Sequence, residues 1–351
     1  MPFQNILIDT GEEIAISPAM EGSTDYKIRN QTIEGFRKFD FTAQQADKII
    51  PNPSLFFDVG DKLHGSSPVT PMRIKLEELF SPMNKKLFTV VNRNTAHQMS
   101  FFLADFAFRH FGNPARKKVV INIDQHLDYG TGTSSAKFLS WGGNVITNTA
   151  DGLCYNIATP STYTDVTYVV AGIFPLDSSA VKKEDYEFKY ISSKMIQRKG
   201  TVTSTGKQKN LPINMKFKDF NAHKAEIYSE IIEFFINEIF GEKIKGGTVP
   251  QNLSNTDYYI TLDTDAMWGS NTCYPSGTLD SNAVLTLINN IFDKITEYGD
   301  FLAGFDITGL PINDNPERNP FDFPSYNNSY TQIEKLIDKI KFLIQDFFPD
   351  Y

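Results

Sequence analysis

Three short stretches of the chain end on side chains suited to holding cations. They are His97 in Asn94-Thr95-Ala96-His97, then Asp124, His126 and Asp128 in Asp124-Gln125-His126-Leu127-Asp128, then Asp263 and Asp265 in Asp263-Thr264-Asp265. In an extended backbone Asp124, His126 and Asp128 alternate with Gln125 and Leu127, so all three point to one face. Two acids and an imidazole converging there repel one another and desolvate badly unless a cation sits between them. Taken alone, this central motif fits equally well a strand end with turn-forming aspartates and a surface histidine. The three motifs together say more. Four carboxylates and two imidazoles are too many ligands for one zinc ion, and no cysteine accompanies them. They suit two divalent ions of intermediate hardness, manganese first, with zinc, cobalt or iron as alternatives. A carboxylate such as Asp128 can bridge two ions, and a shared water can ionise to hydroxide near neutral pH. Two dications set against four carboxylates and a hydroxide leave about one negative charge. Such a cluster favours a cationic, planar electrophile over an anionic phosphate ester.

The motifs need a scaffold that brings them to one place. Leu87–Val91 reads as a strand, and His97 lies in the loop after it. A helix follows in which Met99, Phe102, Leu103, Phe106, Ala107 and His110 keep a helical period, ended by Gly112 with Pro114 just beyond. The β-branched run from Val119 leads into Asp124, and the run from Tyr258 repeats the design as an apolar strand ending in alternating carboxylates, Asp263 and Asp265. Strand, helix, strand calls for a parallel sheet, and parallel strands carry their carboxyl ends on one edge, where open α/β sheets place their chemistry. Further strands are expected at 5–8, 54–60, 166–174 and 302–307. Further helices are expected over 219–240, after a cap at Thr278 or Asp280, and over 333–347. The Gly-, Thr-, Ser- and Asn-rich stretch 129–163 has the composition of a loop that shapes a pocket. The stretch 178–218 is locally basic, and a solvated loop insertion is preferred for it over a docking surface. One α/β domain over 1–351 is the economical organisation: three layers, a central mostly parallel sheet flanked by helices.

Composition removes several function classes. A net charge of −8 argues against a general nucleic-acid binder. No apolar run reaches the roughly 18 residues of a membrane span, and the amino-terminal stretch lacks a basic region ahead of an apolar one. Cys154 and Cys273 form neither a metal-ligand spacing nor a disulfide framework, which suits a reducing cytosol. The expectation is a cytoplasmic protein with no nucleic-acid or membrane partner, and a homo-oligomer is compatible with it.

The order and spacing of the three motifs resemble the ureohydrolase (arginase) superfamily. Its pattern is Gly-Gly-Asp-His, then Asp-Ala-His-x-Asp, then Asp-x-Asp, at the ends of parallel strands. The likeness spans roughly residues 86–310. It implies an arginase-like fold in which His97, Asp124, His126, Asp128, Asp263 and Asp265 bind two Mn2+ ions. It further implies that a bridging hydroxide attacks a guanidinium carbon. Asp128 would be the catalytic residue that orients the hydroxide and passes a proton to the departing amine, releasing urea. The chain departs from the pattern at several positions, among them Gly-x-Arg-Asp, part of the family's recognition of a free amino acid. Ala96 replaces the acid before the first ligand histidine, and Trp268-Gly269 replaces Asp-Pro after the last motif. Gly172-Ile173-Phe174-Pro175 stands in place of Gly-x-Arg-Asp, and Gly309 in place of the guanidinium-binding Glu of Asp-x-x-Glu. No histidine lies between His126 and His223 to act as a proton shuttle, and Trp141-Gly142-Gly143-Asn144 occupies its place. A retained metal core with remodelled recognition resembles the divergent peptide arginases. The implied partner is then an arginine-containing ribosomal peptide whose arginine side chains become ornithine. Asp306 is the one substrate-binding candidate, with a strand-end cap as its ordinary alternative.

The rivals are a metal-binding pseudoenzyme or interaction protein on the same fold, and a ureohydrolase acting on a small guanidino compound. The pseudoenzyme does not explain why every metal ligand is kept. A zinc deacetylase would show an adjacent His-His pair, which the sequence lacks. A dinuclear phosphohydrolase fits the ligand types but not the charge count.

Overall fold

The computed structural model describes residues 4–9, 55–58, 87–91, 99–124, 165–175, 187–198, 201–203, 209–244, 255–268, 270, 277, 279–308 and 326–349. In chain order the elements are β1 (Gln4–Asp9), β2 (Leu55–Asp58), β3 (Leu87–Val91), α1 (Met99–His110), β4 (Lys117–Ile123) and β5 (Asp165–Pro175). There follow β6 (Glu187–Arg198), β7 (Thr201–Thr203), β8 (Lys209–Lys216), α2 (Phe217–Ile244), β9 (Thr256–Asp263), α3 (Ser281–Glu297), β10 (Phe301–Thr308) and α4 (Tyr326–Phe347). The strands form one sheet in the order β2-β1-β3-β10-β9-β4-β5-β6-β7, with β8 against β6. Every pairing from β2 across to β5 is parallel, and β6 pairs antiparallel with β5, β7 and β8. The expected parallel sheet is therefore the body of the molecule. The basic stretch read as a loop insertion supplies three antiparallel strands that extend that sheet.

The central strands β4, β9 and β10 are buried almost throughout, and their two faces differ sharply. One face is apolar: Val119, Ile121 and Ile123 line up with Tyr258, Ile260 and Leu262, and these with Phe305 and Ile307. This face packs on Ile231, Phe235 and Ile239 of α2, Val284, Ile288 and Ile291 of α3, and Ile333, Ile337 and Ile340 of α4. Each such side chain, fully buried, contributes roughly 1.5–3 kcal/mol. Helix α3 begins cleanly because the Asp280 carboxylate caps it, accepting from the Ala283 N–H at 2.8 Å. The other face meets α1, where Ala107 and Phe108 approach Tyr259 and Gly304. A Cβ at Gly304 would lie 2.7 Å from the Tyr259 ring, so only glycine lets that ring lie across β10. Sheet with α1 on one side and α2–α4 on the other makes the three expected layers. No helix among the described residues is long and apolar enough to cross a membrane.

At the amino ends of β4 and β9 this second face carries a buried ion pair. Lys118 and Asp257 are both fully buried and directly in register. The Lys118 ammonium donates to Asp257 Oδ2 at 2.7 Å and to the carbonyls of Asn113 and Arg116 at 2.5 and 3.0 Å, using all three of its protons. Asp257 also accepts from the Asn113 N–H at 2.7 Å and from Arg116 Nη1 at 3.3 Å. Burial pushes the Lys118 pKa below its ordinary value, against the pull of the Asp257 carboxylate. Removing one partner strands the other charge in the interior, so Asp257→Ala is expected to lower the unfolding free energy by about 3–5 kcal/mol in urea titrations. The double change Lys118→Met with Asp257→Leu should cost less than that single change. A loss below about 1 kcal/mol for Asp257→Ala would show the pair to be dispensable.

Candidate metal centre

The polar face of β4, β9 and β10 is a ladder with two rungs near the carboxyl edge. Register aligns Asn122 of β4 with Thr261 of β9, and Thr261 with Asp306 of β10. Two residues on, Asp263 stands opposite Thr308, and Asp124 follows the last residue of β4. The period of two in each strand therefore sets one polar row above another, every member buried.

The upper row gathers carboxylates. Asp124, Asp263 and Asp265 each offer an oxygen within 4.8 Å of the others, and their exposures are 0%, 5% and 1%. Asp124 stays aligned because its N–H donates to the Ala171 carbonyl at 3.0 Å and its Oδ2 accepts from Asn122 Nδ2 at 2.9 Å. Asp265 reaches the group by a different route from the expected strand alternation. The chain leaves β9 at Asp263 and turns through a 3-10 helix, Thr264–Ala266, whose first turn is capped by the Asp263 carboxylate accepting the Asp265 N–H at 3.0 Å. A second stretch locks the turn: Gly277 N–H donates to the Asp265 carbonyl at 2.5 Å, Leu279 N–H to Ala266 at 3.2 Å and Trp268 N–H to Leu279 at 2.7 Å. A side chain at Gly277 would overlap the Ala266 carbonyl, so residue 277 can lie against the turn only as glycine.

Three buried carboxylates at such spacing repel one another by several kcal/mol per pair at the effective dielectric of about 20 that suits protein sites. A divalent cation among them would offset that repulsion, and an all-oxygen set of acids suits manganese or magnesium better than a thiophilic ion. The residues present therefore fit the expected metal.

The lower row supports the upper. Asn122 Nδ2 donates to the Tyr168 hydroxyl at 2.9 Å as well as to Asp124. Asp306 lies inside β10 and accepts from three hydroxyls: Ser100 at 2.8 Å, Thr261 at 2.7 Å and Tyr259 at 2.5 Å. Ser100 and Thr261 are themselves 3.1 Å apart. Asp306 thus ties the first turn of α1 to β9 and β10, a placement that the strand-end cap expected of it does not describe. Ser100, Asn122, Tyr259 and Thr261 were not singled out in the sequence. For the three strand residues the signal was there, in the polar residues that recur at every second position of Val-Val-Ile-Asn-Ile-Asp, Tyr-Ile-Thr-Leu-Asp and Phe-Asp-Ile-Thr, whereas Ser100, in the first turn of α1, belongs to no such alternation. The other expected ligands, His97, His126 and Asp128, and the loop 129–163 lie outside the described residues.

If cation binding is what relieves the crowded carboxylates, Asp263→Asn separates two effects. The variant keeps an oxygen to cap the 3-10 turn but removes one charge. The metal-free protein should then melt at or above the wild-type temperature, while the rise in melting temperature that manganese gives the wild type should largely vanish. A lower metal-free melting point with an intact manganese response would contradict this reading.

No protein-family model matches the sequence, and no curated protein matches it. Solved structures do show a similarity. The arginase of Bacillus subtilis is 11% identical, covers 97% of this chain and 98% of its own length, and has a TM-score of 0.46. A hypothetical agmatinase of Burkholderia thailandensis is 14% identical, covering 99% and 87%, with a TM-score of 0.46. The proclavaminate amidino hydrolase of Streptomyces clavuligerus is 14% identical, covering 97% and 91%, with a TM-score of 0.44.

Proposed function

We propose that this chain is a divalent-metal-dependent hydrolase of guanidino groups that converts arginine side chains in a peptide to ornithine and releases urea. The observation that carries the reading is the convergence of Asp124, Asp263 and Asp265, all buried, at the carboxyl edge of the two adjacent parallel strands β4 and β9. In this reading His97, His126 and Asp128 complete the ligand set, which then holds two Mn2+ ions. The ions supply Lewis acidity and bring the ionisation of a water close to neutral pH.

The protein's own part is positional. Asn122 holds Asp124, and the Asp263 cap holds Asp265, so the carboxylates need no reorganisation when the reaction begins. The excess of acid groups draws a planar cation towards the site and disfavours a phosphate ester. Water adds to the guanidinium carbon, the bond from that carbon to the side-chain nitrogen breaks, and the nitrogen leaves as an amine after taking a proton. Asp128 is proposed to orient the attacking water and carry that proton. A peptide is preferred over free arginine as substrate because Gly172–Pro175 stands where residues that recognise a free amino acid would be expected.

Incubation with manganese and a set of arginine-containing peptides, followed by mass spectrometry, tests this reading. Modified peptides should lose the mass of cyanamide, as water enters and urea leaves, and free arginine should remain intact. Asp124→Ala should abolish the change. Hydrolysis of free arginine alone would replace the peptide substrate with a small guanidino compound, and no loss from any substrate by metal-loaded protein would overturn the enzyme.

A further inference from the structure

Thr308 closes β10 with its side chain fully buried, and its hydroxyl has no hydrogen-bond partner among the described residues. The register sets it opposite Asp263, so alternation places the hydroxyl on the same face as the carboxylates. Its neighbours on that face are engaged: Thr261 and Asp306 bond to each other, and Asn122 spends its amide N–H donors on Asp124 and Tyr168. Asn122 Oδ1 is likewise open, but it sits one rung further from the edge. Nothing among the described residues asks for a hydroxyl at 308. Valine fills the same volume, prefers strands as strongly and carries no polar group to desolvate.

We propose that Thr308 is a ligand-binding residue whose hydroxyl accepts an N–H from an amidine or guanidino group lodged beside the carboxylates. A guanidinium offers only donors, and a hydroxyl presents two acceptor lone pairs while its own proton turns aside to another acceptor. The chemistry suits a cationic planar group: the acids supply the charge, and Thr308 supplies a neutral, directional contact that fixes the angle at which the group enters. The identity of the ligand rests on the hydrolase reading above. The unspent hydroxyl does not.

The test uses the full manganese-loaded chain, its Thr308→Val and Thr308→Ser variants, guanidinium ion as a binding probe by calorimetry, and an arginine peptide as substrate. The valine variant should melt at or above the wild-type temperature and hold the same amount of manganese. Its guanidinium Kd and peptide KM should both rise about tenfold, with kcat changing less, and serine should restore both. A valine variant that melts lower, or that binds guanidinium as tightly as the wild type, overturns the assignment, as does a wild type that binds no guanidinium. If binding behaves as expected but no peptide is hydrolysed, the hydrolase reading fails and the Thr308 contact stands.

Discussion

Repulsion among three buried carboxylates is the constraint that the surrounding structure has to contain. Asp124, Asp263 and Asp265 could relieve it by turning to solvent, yet their backbone forbids this. Asp124 is fixed by Asn122 and by the β5 carbonyl, and Asp265 by a turn that Asp263 itself caps. A slip of one residue between β4 and β9 would carry Asp263 into the layer of isoleucines and phenylalanines packed on α2 and α3, which pins the register firmly. The apolar face thus sets the position of the polar one.

The polar face resolves its charges differently at its two ends. At the amino end, Asp257 meets Lys118, whose three protons are all used within the chain. At the carboxyl end acids meet one another. Between them Asp306 collects three hydroxyls and joins α1 to the strands, so the helix that begins just after His97 in sequence is anchored to the rung beneath the carboxylates. A site built this way rests on rigid elements, and the cation that completes it comes, in our reading, from solution.

Much of this was legible in the sequence, for reasons that can be named. Parallel strands buried on both faces leave dense apolar runs, and such runs end abruptly where carboxylates begin, as at Ile123-Asp124 and Leu262-Asp263. The helices α3 and α4 show through their spacing, and Asp280 through its place as a cap. Less legible was the stretch that forms β6 to β8. Lys189, Lys194, Lys209 and Lys216 dilute the apolar pattern there, and strand order follows from pairing partners far away in the chain. Asp265 was expected on a strand and arrives by a 3-10 turn, because a turn held by a preceding carboxylate leaves no periodic trace. The lower rung was visible only as alternation, and threonine inside a strand reads as ordinary until its partner across the sheet is known.

The most direct measurement is anomalous diffraction at the manganese absorption edge from crystals grown with manganese. Density within coordination distance of the carboxylates of Asp124, Asp263 and Asp265 is the expected result. Crystals saturated with manganese that show no anomalous density there would contradict the metal centre on which the functional reading stands.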